Sequence, residues 1–492
     1  MCLSDKFIEV EMDNSVKNGK KITSDFMLYA LATLIVPMLG ILIYPISTKA
    51  FSPEIYGSFS YWRVIIEAIA LLTVSWITPV IYRYLNIAGQ KYAVNKIRIF
   101  HTIMFFSTVY SGISIFLIVW TKNYLIAFIS TDVLFLTLAN YFLDFYKTNN
   151  RAKKYCILTI FRAITTYGLF LILIRYNIKA IVTLFIGSTV FNALLVIINA
   201  VLANKKDLLQ ERLPDRHQYS EIFKFGFPFI IINISGLILN SGDRILIKNL
   251  LINGEYYLGV YSVNYNIYSR LITVFIVAVS SLIPSYLYRC YDEGNITKFK
   301  EGLKNLITGF MIMTSVVHLY IFINYKNINY FLIDRAYIDD KNTPVVLCGA
   351  YIFFGLYQIT GSYFVACKKT NYLSLFVIAS GLTNIVLNII FIPKLGYQFA
   401  AFSTLVCFIA VYLACNYLVK RKLGRVVSKT CTVLIIFNLF LIILSYWISI
   451  PILFTDKAFT ILYLMACFFI ETTIIAIAVK AMKFDLSKYL KL

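Results

Sequence analysis

The chain has 492 residues, 60% of them hydrophobic and only 14% charged, and its mean hydropathy is +0.76. So few polar side chains cannot clothe a water-soluble domain, which excludes a soluble globular enzyme and implies a bilayer. The net charge of +22 would fit nucleic acid only if the cations shared one folded surface, and they do not.

Runs of about 20 apolar residues predict fourteen membrane spans, near 26–47, 59–82, 99–120, 124–146, 156–176, 178–203, 224–247, 257–288, 305–324, 344–366, 372–392, 396–418, 431–449 and 458–479. Residues 1–25 are polar and precede a full-length span, so they read as a cytoplasmic tail without a cleavable leader. With the N-terminus in the cytoplasm, 32 of the 46 Lys and Arg fall in the tails and even-numbered turns, 10 in the other turns and four inside spans. That is the positive-inside bias of a polytopic protein of the cell membrane with both ends cytoplasmic.

The polar stretch 204–221 divides the chain. The predicted organisation is a tail (1–25), a first lobe of six spans (26–203), a cytoplasmic linker (204–221), a second lobe of six (222–419) and an appended pair with its tail (420–492). The lobes repeat one another. Glu54, Tyr56, Gly57, Phe59 and Ser60, closing on Pro79, Tyr82 and Arg83, return as Glu255, Tyr257, Gly259, Tyr261 and Ser262, with Pro284, Tyr288 and Arg289. The glycines lie 202 positions apart and the prolines 205. A later echo, Ala152-Lys153-Lys154-Tyr155 against Cys367, Lys368, Lys369 and Tyr372, is offset by 215 at the lysines, and an insertion in the outer loop 325–343 accounts for the drift. An even number of spans per lobe makes the repeats parallel, about an axis along the membrane normal, as in carriers that alternate access to a central site.

Three passages carry a family resemblance. Pro37 to Gly57, with Pro45 and Ser52-Pro53-Glu54-Ile55-Tyr56-Gly57, is the first. Phe225-Gly226-Phe227-Pro228 through Ser241-Gly242-Asp243-Arg244 to Gly259-Val260-Tyr261-Ser262 is the second. Asn384, Asn388, Ile392-Pro393-Lys394, Gly396 and Ala400-Ala401 form the third. In order and spacing they resemble the Wzx-type O-antigen and polysaccharide repeat-unit flippases of the multidrug/oligosaccharidyl-lipid/polysaccharide (MOP) exporter superfamily, over roughly residues 25–420. The resemblance implies an all-α integral membrane fold like that of the MATE exporters, with two pseudo-symmetric six-helix lobes around a central cavity. It also implies a polyprenyl-diphosphate-linked oligosaccharide as cargo, moved from the cytoplasmic to the outer leaflet, with membrane lipids and a polysaccharide polymerase or other assembly proteins as partners.

Charges inside spans cost about 2.5–3.5 kcal/mol each and so need a partner, water or a ligand. All four intramembrane cations are arginines, Arg63, Arg162, Arg244 and Arg270, and a guanidinium forks onto phosphate oxygens where lysine cannot. Arg270, near mid-depth, and Arg63, its approximate counterpart in the repeat, are expected to face a diphosphate; Arg270 has the alternative of a structural ion pair with a neighbouring helix. Arg63 has the alternative of pairing with Glu67 at i+4, and Arg162 that of snorkelling. Asp243 and Arg244 point about 100° apart and are each expected to bond a different helix. Direct substrate contact, by Arg244 as a substrate-binding residue, is the alternative, and Asp243 is a candidate ion-coupling or salt-bridge group. Glu67, Asp132 and Glu471 are candidate ion-coupling sites or arginine partners, and His318 a candidate titrating group or a hydrogen-bonded packing residue. Tyr261, Tyr265 and Tyr268 are spaced to meet sugar rings.

No Gly-rich phosphate loop ending in Gly-Lys-Ser/Thr is present, no cofactor or metal is expected, and the nine cysteines show no paired spacing. A lipid flippase for the peptidoglycan precursor, with the same diphosphate, is the nearest alternative. A multidrug or cation antiporter would want buried carboxylates. A polytopic polymerase or glycosyltransferase would need an acidic membrane-face cluster, and only Asp339-Asp340 offers one.

Overall fold

The computed structural model describes residues 38–77, 90–148, 151–178, 180–202, 216–339 and 341–448, with isolated residues in 28–36, Val80 and parts of 459–473. Among these every regular element is helical, as a lipid environment demands, because only a helix or a closed barrel satisfies its own backbone there. The α-helices are α1 (Tyr44–Ala50), α2 (Pro53–Thr73), α3 (Gln90–Thr121), α4 (Tyr124–Thr148), α5 (Ala152–Arg175), α6 (Thr183–Leu202), α7 (Arg216–Leu250), α8 (Gly254–Leu282) and α9 (Arg289–Asp292). They continue with α10 (Ile296–Leu332), α11 (Thr343–Ala366), α12 (Asn371–Leu395), α13 (Phe399–Leu423) and α14 (Lys429–Trp447).

Eleven helices among the described residues are long and apolar enough to cross a membrane. The other three predicted spans are accounted for. The first and fourteenth lie partly outside the described residues, and the sixth is α6, whose apolar part, Thr183–Asn199, is shorter. Helix α10 has 37 residues, about 55 Å at ~1.5 Å per residue. It exceeds a ~30 Å hydrocarbon core, so its lysine-bearing first turns extend beyond the apolar span predicted at 305–324. Asn295 and Ser428 cap α10 and α14 by accepting from the amides of Lys298 and Cys431, each at 3.0 Å.

The chain divides into two compact units. One comprises residues 1–39, 69–178 and 182–230, the other 40–68, 179–181 and 231–492. This grouping puts α1 and most of α2 with the second half of the chain, unlike the lobes expected at 26–203 and 222–419. In the first unit Ala139 and Leu143 of α4, Tyr155 and Cys156 of α5 and Phe191 and Leu195 of α6 form a core. In the second, α11 is the central helix, with 83% of its apolar stretch buried. Asn384 and Asn388 of α12 form a closed network with Ser403 of α13, whose hydroxyl donates to Asn388 Oδ1 at 2.5 Å. These residues of the third sequence passage are polar glue between membrane helices.

The repeat has a structural reason at its glycines. A Cβ on Gly57 would stand 1.9 Å from the carbonyl oxygen of Glu255, and one on Gly259 would stand 1.9 Å from that of Pro53. Pro53 and Glu255 are themselves 202 positions apart, so the contact is reciprocal. The starts of α2 and α8 cross at backbone distance, and each copy supplies the glycine that the other copy's carbonyl requires. Pro79, the first copy's proline, lies outside the described residues. Before it the chain makes a 3-10 turn, Ser75–Ile77, whereas Pro284 falls in a π-helical turn, Ile283–Tyr288.

Of the loop predicted at 325–343, residues 325–332 continue α10, and the shorter remainder is wedged into the second unit. It forms a 3-10 turn, Arg335–Tyr337, whose Tyr337 is fully buried and donates its hydroxyl to Phe51 O at 2.9 Å. Asn264 of α8 donates to Tyr337 O at 3.1 Å.

Candidate functional site

An arginine inside a bilayer keeps its charge, and the identity of its partner decides whether that charge is compensated. A carboxylate neutralises it, while an amide oxygen accepts a hydrogen bond and leaves the positive charge for something else. In the second unit, Arg244 of α7 donates from Nη2 to Asn266 Oδ1 at 3.2 Å and lies 4.9 Å from the Tyr265 ring centroid, both on α8. Its Nε is buried without a hydrogen-bond partner. Asp243, beside it, is 1% exposed. One of its oxygens accepts from the Arg244 amide at 2.8 Å and the other from the Tyr261 hydroxyl at 2.5 Å. Both residues therefore bond α8, which corrects the expectation that each serves a different helix. Tyr261 and Asn266 are about a turn apart on α8, and α7 runs close enough alongside to reach both.

The first unit repeats the logic with other residues. Arg162 of α5 donates from Nη1 to Asn140 Oδ1 of α4 at 3.1 Å. Asp132 of α4, also 1% exposed, accepts from Ser188 Oγ at 2.7 Å and Thr189 Oγ1 at 2.8 Å on α6. Among the described residues neither Arg162 nor Arg244 is in a salt bridge. Their carboxylates, Asp132 and Asp243, act through space.

Arg63 differs. Its Nε donates to Glu67 Oε1 at 2.7 Å, the i+4 pair that sequence offers as its alternative. Arg270 stands with its guanidinium 5.8 Å from the Tyr44 ring centroid. His318 of α10 is fully buried, with Nδ1 2.6 Å from Asn438 Oδ1 of α14 and Nε2 3.0 Å from Val345 O of α11. It thus ties three helices together. Glu471 lies outside the described residues, as does Asp340.

The three tyrosines expected to meet sugar rings are committed elsewhere. Tyr261 and Tyr268 are 0% exposed and Tyr265 4%. Tyr261 holds Asp243. Tyr265 donates to Asn240 O at 2.8 Å and pairs with the Tyr351 hydroxyl at 2.6 Å. Tyr268 donates to Asn329 Oδ1 at 2.6 Å. Their rings are spent on packing inside the unit. The residues that sequence reasoning missed are the amides, Asn140 and Asn266. Each is 22 positions from its arginine, a separation that marks adjacent antiparallel spans, and that spacing was the available signal.

A family profile described as "Polysaccharide biosynthesis protein" matches residues 22–287, more than half of the chain. No characterised protein sequence matches. Among solved structures, the lipid II flippase MurJ in an inward closed conformation is similar, with a TM-score of 0.66 and 16% identity, over 93% of this chain and 99% of that one. An inward-facing MATE-family multidrug resistance transporter of the MOP superfamily gives 0.54 at 13% identity, over 80% and 94%. An outward-facing one gives 0.55 at 11%, over 83% and 96%. At these identities the likeness shows the fold, which is that of the MOP superfamily, as expected from the sequence.

Proposed function

The chain belongs to the polysaccharide biosynthesis protein family, and from that premise we propose that it flips a polyprenyl-diphosphate-linked oligosaccharide repeat unit from the cytoplasmic to the outer leaflet of the cell membrane. It is a multi-pass MOP-type membrane transporter. The observation that supports the cargo is Arg244, a guanidinium inside a spanning helix whose hydrogen-bond partner is a neutral amide and whose buried Nε is left over. A desolvated guanidinium with spare donors is a receptor for phosphate oxygens. Arg162, held by Asn140, offers the same chemistry in the other unit, and Arg270 supplies a further cation on α8.

The reading places both termini in the cytoplasm and treats the duplicated six-span halves as the moving parts of an alternating-access cycle. The polyprenyl tail stays in lipid. A cargo with about two negative charges leaves a negative interior favourably, by roughly 2.3 kcal/mol per charge per 100 mV, so no coupling ion is needed for the direction of flow. A polysaccharide polymerase is the partner that would consume the exported unit.

The test is deletion of the gene followed by analysis of lipid-linked sugars on the inner leaflet. Accumulated oligosaccharide repeat units, cleared by the wild-type gene and not by Arg244→Ala, are expected. Accumulated peptidoglycan precursor instead would move the assignment to that cargo, and clearance by Arg244→Ala would remove the phosphate role.

A further inference from the structure

A cavity of about 200 Å³ lies in the second unit where the end of α8, its π-helical turn, α11 and α12 meet. It is lined by Ser280, Ile283, Tyr288, Tyr357, Gln358 and Gly361, with Ser362, Val365 and Leu373. None of these is charged, which makes it unlike the surroundings of any of the four arginines. Ser280 Oγ is buried with no hydrogen-bond partner. Tyr288, Tyr357 and Gln358 make no hydrogen bond among the described residues. Gln358 is exposed on α11, eight residues before the helix ends.

A buried hydroxyl without a partner, Ser280 Oγ, is costly in a spanning helix unless water or a ligand meets it, and three more polar side chains without a hydrogen bond share its cavity. The fold also keeps the space open. A π turn is rare and widens the helix locally, and a Cβ at Gly361 would come within 3.0 Å of Leu373. Tyrosines offer an apolar ring face and a polar rim together, and serine and glutamine add donors and acceptors without charge. Neutral donors and acceptors beside aromatic faces suit hydroxyl-rich rings. The volume is below the ~300–1,000 Å³ of drug-sized sites, so it fits one sugar ring.

We propose that this cavity is a glycan subsite, which takes one neutral sugar ring of the cargo while arginines elsewhere hold its diphosphate. The proposal rests on the repeat-unit flippase reading. On α8, Ser280 is ten residues, about 15 Å, beyond Arg270, so the ring it receives belongs to the oligosaccharide and not to the diphosphate.

The test uses the full-length protein in nanodiscs and two probes, bare undecaprenyl diphosphate and the lipid-linked repeat unit extracted from source cells lacking this gene. The wild type should bind the sugar-bearing lipid about tenfold more tightly than the bare one. Tyr357→Phe and Ser280→Ala, which remove single hydroxyls, and Gln358→Leu should each shrink that ratio and leave the affinity for bare undecaprenyl diphosphate unchanged. An unchanged ratio in all three, each folded by size-exclusion profile, would overturn the subsite and leave the flippase reading standing. Failure of the wild type to bind either lipid would overturn the flippase reading and the subsite with it.

Discussion

At the start of α2, Gly57 lies against the carbonyl of Glu255, and at the start of α8, Gly259 lies against that of Pro53. Farther in, α2 gives way to a 3-10 turn at Ser75–Ile77 while α8 enters a π turn at Ile283–Tyr288. The copies match where each is the other's neighbour and differ where each meets its own surroundings. A reciprocal crossing binds both sequences at once, because any side chain on either glycine strikes backbone that cannot swing aside. The distal turns answer to different neighbours, and beside the second of them lies the polar cavity.

The strongest way to break that comparison is to fill the crossing. Gly57→Ala and Gly259→Ala should each destabilise by about 1–3 kcal/mol or more, read as a lowered unfolding temperature and reduced yield of monodisperse protein. Gly112→Ala in α3, where a Cβ meets nothing within 4 Å, should be neutral or slightly stabilising by helix propensity. If Gly259→Ala behaved like Gly112→Ala, the reciprocity would carry no energy.

The second test sharpens the contrast between Arg162 and Arg244, held by amides, and Arg63, which pairs with a carboxylate. Arg244→Ala should lower transport about 10- to 100-fold, the equivalent of the ~1.5–3 kcal/mol of a hydrogen bond to a charged group. Arg244→Lys should fall between, since a point charge remains without the fork. Arg63→Ala should cost little, because its pair with Glu67 is partly exposed and such pairs contribute about 0–1 kcal/mol. Flux of labelled lipid in proteoliposomes separates these cases, and equal losses at Arg63 and Arg244 would erase the distinction.

What sequence made legible follows the same division. The spans, the duplication and the four arginines are visible because hydropathy, glycine and charge are local properties. The amides that accept from Arg162 and Arg244 were within reach, at a spacing of 22. The fate of Tyr265 and Tyr268 was not, because their partners Tyr351 and Asn329 are 86 and 61 positions away, and nothing in helical spacing says which face of α8 meets them. The π turn was illegible for a related reason. Proline forbids a backbone donor at 284, yet the way the helix absorbs the loss depends on what packs beside it.

A third prediction concerns the packing of α14, which has no copy in the first half. Asn438 donates to Ser315 Oγ at 2.7 Å while its oxygen faces His318 Nδ1. Asn438→Leu would leave two buried polar groups on α10 short of a partner and should cost about 1–3 kcal/mol. The double variant Asn438→Leu/His318→Phe should recover part of that loss, because removing both members of a buried pair costs less than orphaning one. Thermal unfolding of the single and double variants decides it, and a double variant worse than both singles would argue for a role of His318 beyond packing.

The smallest effect belongs to Asp339, in the loop after α10 that has no counterpart of its length in the first half. Its carboxyl is 2% exposed and accepts from the Lys341 amide at 3.0 Å, and burial pushes it above the usual carboxylate range. A carboxyl raised in the folded state binds its proton more tightly there than in the unfolded chain. Its contribution is therefore fully present below the unfolded value of about 3.9 and is lost as pH climbs through the folded one. Asp339→Asn keeps an oxygen for the Lys341 amide and has no charge to bury. It should flatten this part of the pH profile and leave the protein slightly more stable at neutral pH. Unfolding temperatures of wild type and variant between acid and neutral pH give the comparison. A variant that lost stability at neutral pH would mean the carboxylate is wanted charged, as a partner for Lys341 rather than a neutral cap inside the wedge.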